Sequence, residues 1–167
     1  MRGGSMSYMK LLKLLYMVDR TALLRWGRPV TMDRFVSMRH GPVLSTVYDL
    51  ITEEAPPNHS VVWAKYISAP QNWEVSLLSA DFPADRLAPA EERLIDEIYT
   101  TYGYFRRWDL VQHLHEVLPE WKDPGESSRN IEVREILGAD PDDECDAEHT
   151  ERELFLLNKS NALLRAG

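Results

Sequence analysis

The chain has 167 residues, 44% apolar and 28% charged, which fits one domain large enough to bury its own core. No run of about 18 apolar residues occurs, which argues against a transmembrane helix, and the net charge of −8 argues against nucleic acid as a partner. The N-terminus lacks a secretory pattern and Cys145 is the single cysteine, so an intrachain disulfide is excluded and the expected location is cytoplasmic.

Residues 1–6 read as a tag remnant or a truncated N-terminus, and no fold role is expected of the MRGGS at their start. Residues 7–26 read as a mostly buried helix, with Gly27 suited to a left-handed cap and Pro29 preventing continuation. At 100° per residue, Lys10, Lys13 and Arg20 fall on one face of it. Tyr8, Leu12, Leu15 and Trp26 gather opposite, and Asp19 sits in the middle of that apolar face. Residues 32–39 read as a short strand, followed by a His40-Gly41-Pro42 turn. Pro42 suits the first turn of a helix over about 43–54, with Leu44, Val47, Tyr48 and Ile51 on one stripe.

VVWAKYI and WEVSLL read as the two strands of a hairpin joined by SAPQN. Helices follow at 89–102, ended by Gly103, and at 106–118, stopped by Pro119. A short helix is expected over 129–137. An acidic loop, 139–149, then leads into a last helix over about 148–165 that packs on the core. The fold class is therefore mostly α with a small antiparallel β element (α+β), in a single compact domain whose main body spans 7–138. Residues 1–50 carry a charge of +5 and residues 51–167 carry −13, a split that predicts a bipolar surface or internal pairing between the two parts.

A carboxylate on an apolar helix face is costly unless something pairs with it. Arg34, Arg39 and His40 are the partners the sequence offers Asp19, and a buried ion pair tying the first helix to the strand is the preferred reading. An Asp19–His40 dyad of the kind found in hydrolases is the chemical alternative. Ser37 and Ser45 are nearby in sequence, but no G-x-S-x-G elbow is present. His113, His115, Cys145 and His149 have no zinc-ligand spacing, and DPDDECD (140–146) lacks the pattern of a calcium loop. With no P-loop and no G-x-G-x-x-G either, no metal or cofactor is expected. The segment YGYFRRW (102–108) is rich in the residue types that dominate binding hot spots. Tyr102, Phe105 and Trp108 also suit a tight helix–helix junction, so core and partner surface compete there. Tyr104, Phe105, Arg106, Arg107 and Trp108 are the candidate partner-binding residues, with Trp73 at the hairpin tip as a second patch.

Four segments together carry a resemblance: KLLKLLYMVDR, GRPVTMDRFVSMRHGPVLSTVYDL, the helix ending YTTYG, and WDLVQHLHEVLPEW. They resemble the Panacea, or SocA-like, antitoxin domain, whose pattern joins a K-L-x-K-L-L-Y-x-x-D helix to an x-H-G-P-V turn and a later histidine before a tryptophan. The matched segments spread over residues 9–121. The resemblance implies a non-enzymatic antitoxin of a type II toxin–antitoxin pair, some of them prophage-borne, that neutralises a toxin encoded next to it by direct protein–protein contact. It also implies an alternative, an adaptor that delivers its toxin to a Clp-type protease. Asp19, Arg39, His40, Gly41 and Pro42 are then a structural motif, with Asp19 expected to clamp the HGP turn to the first helix.

Overall fold

A computed structural model describes residues 4–52, 54–55, 57–79, 81, 86–138, 150–157 and 159. Its organising element is helix α1 (Tyr8–Trp26), which touches most of the other elements. Leu12, Leu14, Met17, Val18, Ala22 and Leu23 are buried on several sides of it, so it is a central helix rather than a one-faced one. Gly27 closes it at φ +69°, donating its N–H to Leu23 O at 2.9 Å.

The two-face reading of α1 is corrected here. Lys13 is 2% exposed, whereas Trp26 is 38% exposed. Because α1 is surrounded, its polar side chains have to find partners inside the protein. Lys10 Nζ donates to the carbonyls of Gly103 and Phe105, Lys13 Nζ to that of Pro42, and Arg20 meets Glu120.

Strands β2 (Phe35–Met38) and β3 (Gly41–Leu44) form an antiparallel hairpin with Phe35 opposite Leu44 and Ser37 opposite Pro42. β5 (Arg129–Asn130) pairs on the other side of β2. The strand expected over 32–39 is thus shorter, and the expected helix start at 43 is strand instead. Val43 and Leu44 gain full burial by pairing with Val36 and Phe35, and Pro42 is tolerated because β3 is an edge strand. Helix α2 (Ser45–Thr52) follows, its first turn held by Asp33, which accepts from the N–H groups of Thr46 (2.8 Å) and Val47 (3.2 Å). Val47 and Tyr48 pack with buried Ile51 in a satellite cluster around Leu12, Val36 and Val43.

The expected hairpin over 61–78 is largely overturned. Its first arm lies in helix α3 (Pro57–Tyr66), and β4 (Glu74–Ser76) pairs with β1 (Ser5–Ser7). Only the Ile67–Leu77 and Gln71–Glu74 bridges remain of it. Val61 and Val62 stay 71% and 64% exposed, so no buried sheet face selects the extended form that their β-branching favours. The N-terminal segment gains the fold role denied to it, since Gly4 O accepts from Leu77 N at 2.8 Å and Met6 pairs with Val75.

Helix α4 (Pro89–Tyr102) has the expected bounds, and α5 (Arg107–Val117) is one residue shorter at each end than expected. Residues 129–137 divide into β5 and α6 (Val133–Leu137), because Ile131 N–H is taken by Phe35 O at 2.9 Å. Leu94, Ile98, Leu110, Leu114 and Ile136 complete the main core against α1, joined by Leu154 from the helical residues 150–157. The acidic loop, with Cys145 and His149, lies outside the described residues. Among the described residues no helix is long and apolar enough to cross a membrane.

Candidate functional site: an aromatic and basic groove

Asp19 is completely buried, and its partners are not those expected. Oδ1 accepts the N–H groups of Val30 and Thr31, both at 3.0 Å, and Oδ2 accepts the Thr31 hydroxyl. The carboxylate therefore folds the loop that follows Gly27 back onto α1 and does not clamp the HGP turn. Burial pushes its pKa up to about 6 against the opposing effect of these hydrogen bonds. Arg34 instead reaches the Ser45 hydroxyl at 3.0 Å. Arg39 and His40 are exposed and lie on a different surface feature. With its oxygens occupied by the loop, Asp19 forms no dyad with His40, and the hydrolase alternative loses its geometry.

The hairpin carrying the HGP turn is held by two residues that sequence reasoning missed. Lys13 Nζ donates to Pro42 O on β3 at 2.8 Å, and Trp121 Nε1 donates to Met38 O on β2 at 3.0 Å. Trp121 also stacks flat on His115, with centroids 3.7 Å apart and planes 3° apart. Gly41 sits above this pair at φ +91°. A Cβ there would come within 3.2 Å of both His115 Nε2 and Lys13 Cε. Conformation and crowding both require glycine at this position. His115 Nε2 is buried without a hydrogen-bond partner among the described residues. Burial brings the Lys13 amine down to about 7 and lowers His115 as well, which the Lys13 charge lowers further. The signal available in the sequence was a lysine among leucines at Lys13 and the spacing of His115 from Trp121.

This hairpin forms one side of a groove of about 630 Å³. Tyr8, Met9, Leu12 and Lys13 of α1 line it, with Met38, Arg39, His40, Gly41 and Val43 from the hairpin and Tyr48 from α2. Trp73, Arg107 and Trp108 close it, together with residues 125–127. Trp108 meets His40 edge to face at 5.3 Å, and the Arg107 guanidinium lies 5.5 Å from the Trp108 ring. Trp73 is 5.9 Å from Tyr8, where the Tyr8 N–H donates to Trp73 O.

Trp73 follows Asn72 in a two-residue loop between Gln71 and Glu74, with φ of +51° at Asn72 and +68° at Trp73. Such loops favour Asn-Gly. A tryptophan in the glycine position is a backbone outlier of the kind that accompanies functional sites.

The structure thus brings together six sequence-derived candidates, Arg39, His40, Gly41, Trp73, Arg107 and Trp108, and separates the rest. Phe105 is half-buried, stacked between Tyr104 at 4.5 Å and His113 at 5.1 Å. Tyr104 is 76% exposed and lines a second depression with Ser5, Lys10, Glu74 and Tyr99. Arg106 is exposed at the start of α5 and lines neither cavity. Pro42 is buried beneath the turn. The junction reading of 102–108 thus holds for Tyr102 and Phe105, both packed against the core, while Trp108 is half exposed in the groove.

Comparison with curated proteins and with solved structures returns no match. Comparison with protein families matches the family described as antitoxin SocA-like, Panacea domain, over residues 11–122. That span runs from α1 through the HGP hairpin to just past Trp121, and so takes in the clamps formed by Lys13, Asp19 and Trp121. Two-thirds of the chain is matched, and the protein belongs to the SocA-like antitoxin, Panacea-domain family.

Proposed function

We propose that the chain neutralises a cognate toxin, encoded beside it, by direct protein–protein contact in the cytoplasm, with the aromatic and basic groove as the centre of the contact face. The family supplies the antitoxin role. The observation that carries direct contact is the groove itself, where exposed Trp73 and Trp108 flank Arg107 on a frame clamped from beneath. Tryptophan and arginine are the residue types that concentrate binding energy, and a standard interface of about 800 Å² per partner extends well beyond such a groove onto its rim. Tyr104 and Arg106 belong to that rim in this reading.

Co-expression with the small open reading frame next to the gene tests the proposal, scored by growth and by co-purification. Rescue with a stable complex is the expected result. Rescue without a complex would replace direct blocking by delivery to a Clp-type protease. A harmless neighbour would remove the toxin assignment.

A further inference from the structure

The groove has the opposite charge to the chain that carries it. Lys13, Arg39 and Arg107 line it with His40, against the single carboxylate of Glu126, in a protein of net charge −8. Lys13 is 2% exposed, its hydrogen-bond acceptor is the Pro42 carbonyl, and no carboxylate among the described residues lies within ion-pair distance of it. The arginines on and just after α1 differ, since Arg20, Arg25 and Arg28 each meet a glutamate. A buried ammonium without a counter-charge is costly, and an arriving carboxylate removes that cost. Around it the surface is apolar, from Leu12 and Val43 outward to Tyr8 and Trp73.

We propose that the groove receives a segment of the toxin in which an apolar side chain lies next to a carboxylate, the carboxylate meeting Lys13 and Arg107 and the apolar side chain lying against the Tyr8–Trp73 wall. This rests on the antitoxin reading and names the chemistry of the partner at the same site. A nucleic acid is the poorer fit, because it would need a basic stripe along its backbone. Here Arg25 and Arg28 are occupied by Glu97 and Glu91, and Lys13, Arg39 and Arg107 converge on one cavity rather than forming a stripe.

The full chain is titrated with the peptide acetyl-Asp-Leu-Phe-Asp-Leu-Asp-amide and with the same peptide carrying Asn for Asp, following the indole N–H resonances of Trp73 and Trp108. The acidic peptide is expected to shift both resonances and to bind about tenfold or more tightly than its neutral counterpart. Lys13→Met and the exposed Arg39→Gln are each expected to weaken it. Glu126→Gln, which removes the lining carboxylate, is expected to strengthen it. Arg39→Gln and Glu126→Gln keep the result readable if Lys13→Met disturbs the hairpin. Equal binding of both peptides, no shift with either, or tighter binding of a single-stranded oligonucleotide would overturn the proposal. Toxin neutralisation is scored separately. Neutralisation that survives Arg39→Glu with Arg107→Glu removes the groove chemistry and leaves the antitoxin reading intact. Peptide binding without neutralisation does the reverse.

Discussion

At the scale of single residues, three side chains pay different physical penalties. Asp19 is a buried carboxylate satisfied by two backbone N–H groups and a hydroxyl. Asp19→Ala strands these donors and is expected to lower stability by about 2–4 kcal/mol, with Asp19→Asn costing less because its amide oxygen still accepts. Denaturant melts of both variants check this, and equal losses would contradict the hydrogen-bond account. Lys13 gives a pH dependence whose sign is definite. Its amine holds a proton up to its ordinary value of 10.5 when unfolded but only to about 7 when folded. Between these values the unfolded state binds more protons, so stability rises with pH, by up to about 1.4 kcal/mol per unit from this group. Tyr8 is pushed above its ordinary value and His115 below its own, so neither confuses the window from pH 7 to 9, while burial lowers Lys10 and adds a rise of the same sign. Urea midpoints across that window are expected to climb in the native chain and to climb less steeply in Lys13→Met. Trp73 holds a strained backbone. Trp73→Gly relieves about 1–2 kcal/mol of left-handed strain and gives up a partly exposed contact with Tyr8. Its stability is expected to hold or rise while partner binding weakens, and a drop beyond about 1 kcal/mol would refute the strain argument.

At the scale of elements, α1 is fastened through its polar residues to the parts that surround it. Lys10 takes the carbonyls at the end of α4, Lys13 takes β3, and Tyr16 and Arg20 converge on Glu120 beyond α5, at 2.8 and 2.7 Å. Glu120 is 2% exposed, so removing it strands a guanidinium and a phenol in a largely dry place. Glu120→Ala is expected to cost about 3 kcal/mol, toward the low end for a broken buried pair because Arg20 keeps some access to water. A chemical denaturation shift below about 1 kcal/mol would show that α5 is held to α1 by apolar packing alone. The exposed Arg25–Glu97 pair also joins α1 to α4, but its groups remain in water and it contributes little.

At the scale of the whole molecule, the charge split between the first 50 residues and the remainder is partly internal. Arg20, Arg25 and Arg28 each pair with a glutamate from beyond residue 90. Lys13, Arg39 and Arg107, which form no ion pair among the described residues, come together in the groove. Trp108 is 49% exposed and lies outside the core, so Trp108→Ala is expected to move stability by less than about 0.5 kcal/mol. The same change is expected to weaken the toxin complex by about 2 kcal/mol or more, as a central aromatic anchor does. Calorimetry of the purified chain and of its complex separates the two effects, and a parallel loss of both would place Trp108 in the frame.

The sequence by itself determined the helices that carry their own signals. Gly27, Gly103 and Pro119 mark ends that local backbone chemistry enforces whatever packs nearby. It also marked Gly41 and the aromatic–arginine segment as special. Only the tertiary structure decided what Asp19 and Lys13 do, because a helix wheel assumes one wet face and α1 has almost none. Only tertiary pairing made 41–44 a strand and left 57–66 a helix, since β-branched residues take the extended form where a partner strand buries them. The groove arises the same way. Residues from positions 8 to 127 line it, and their proximity follows from long-range packing around α1, which no local pattern encodes.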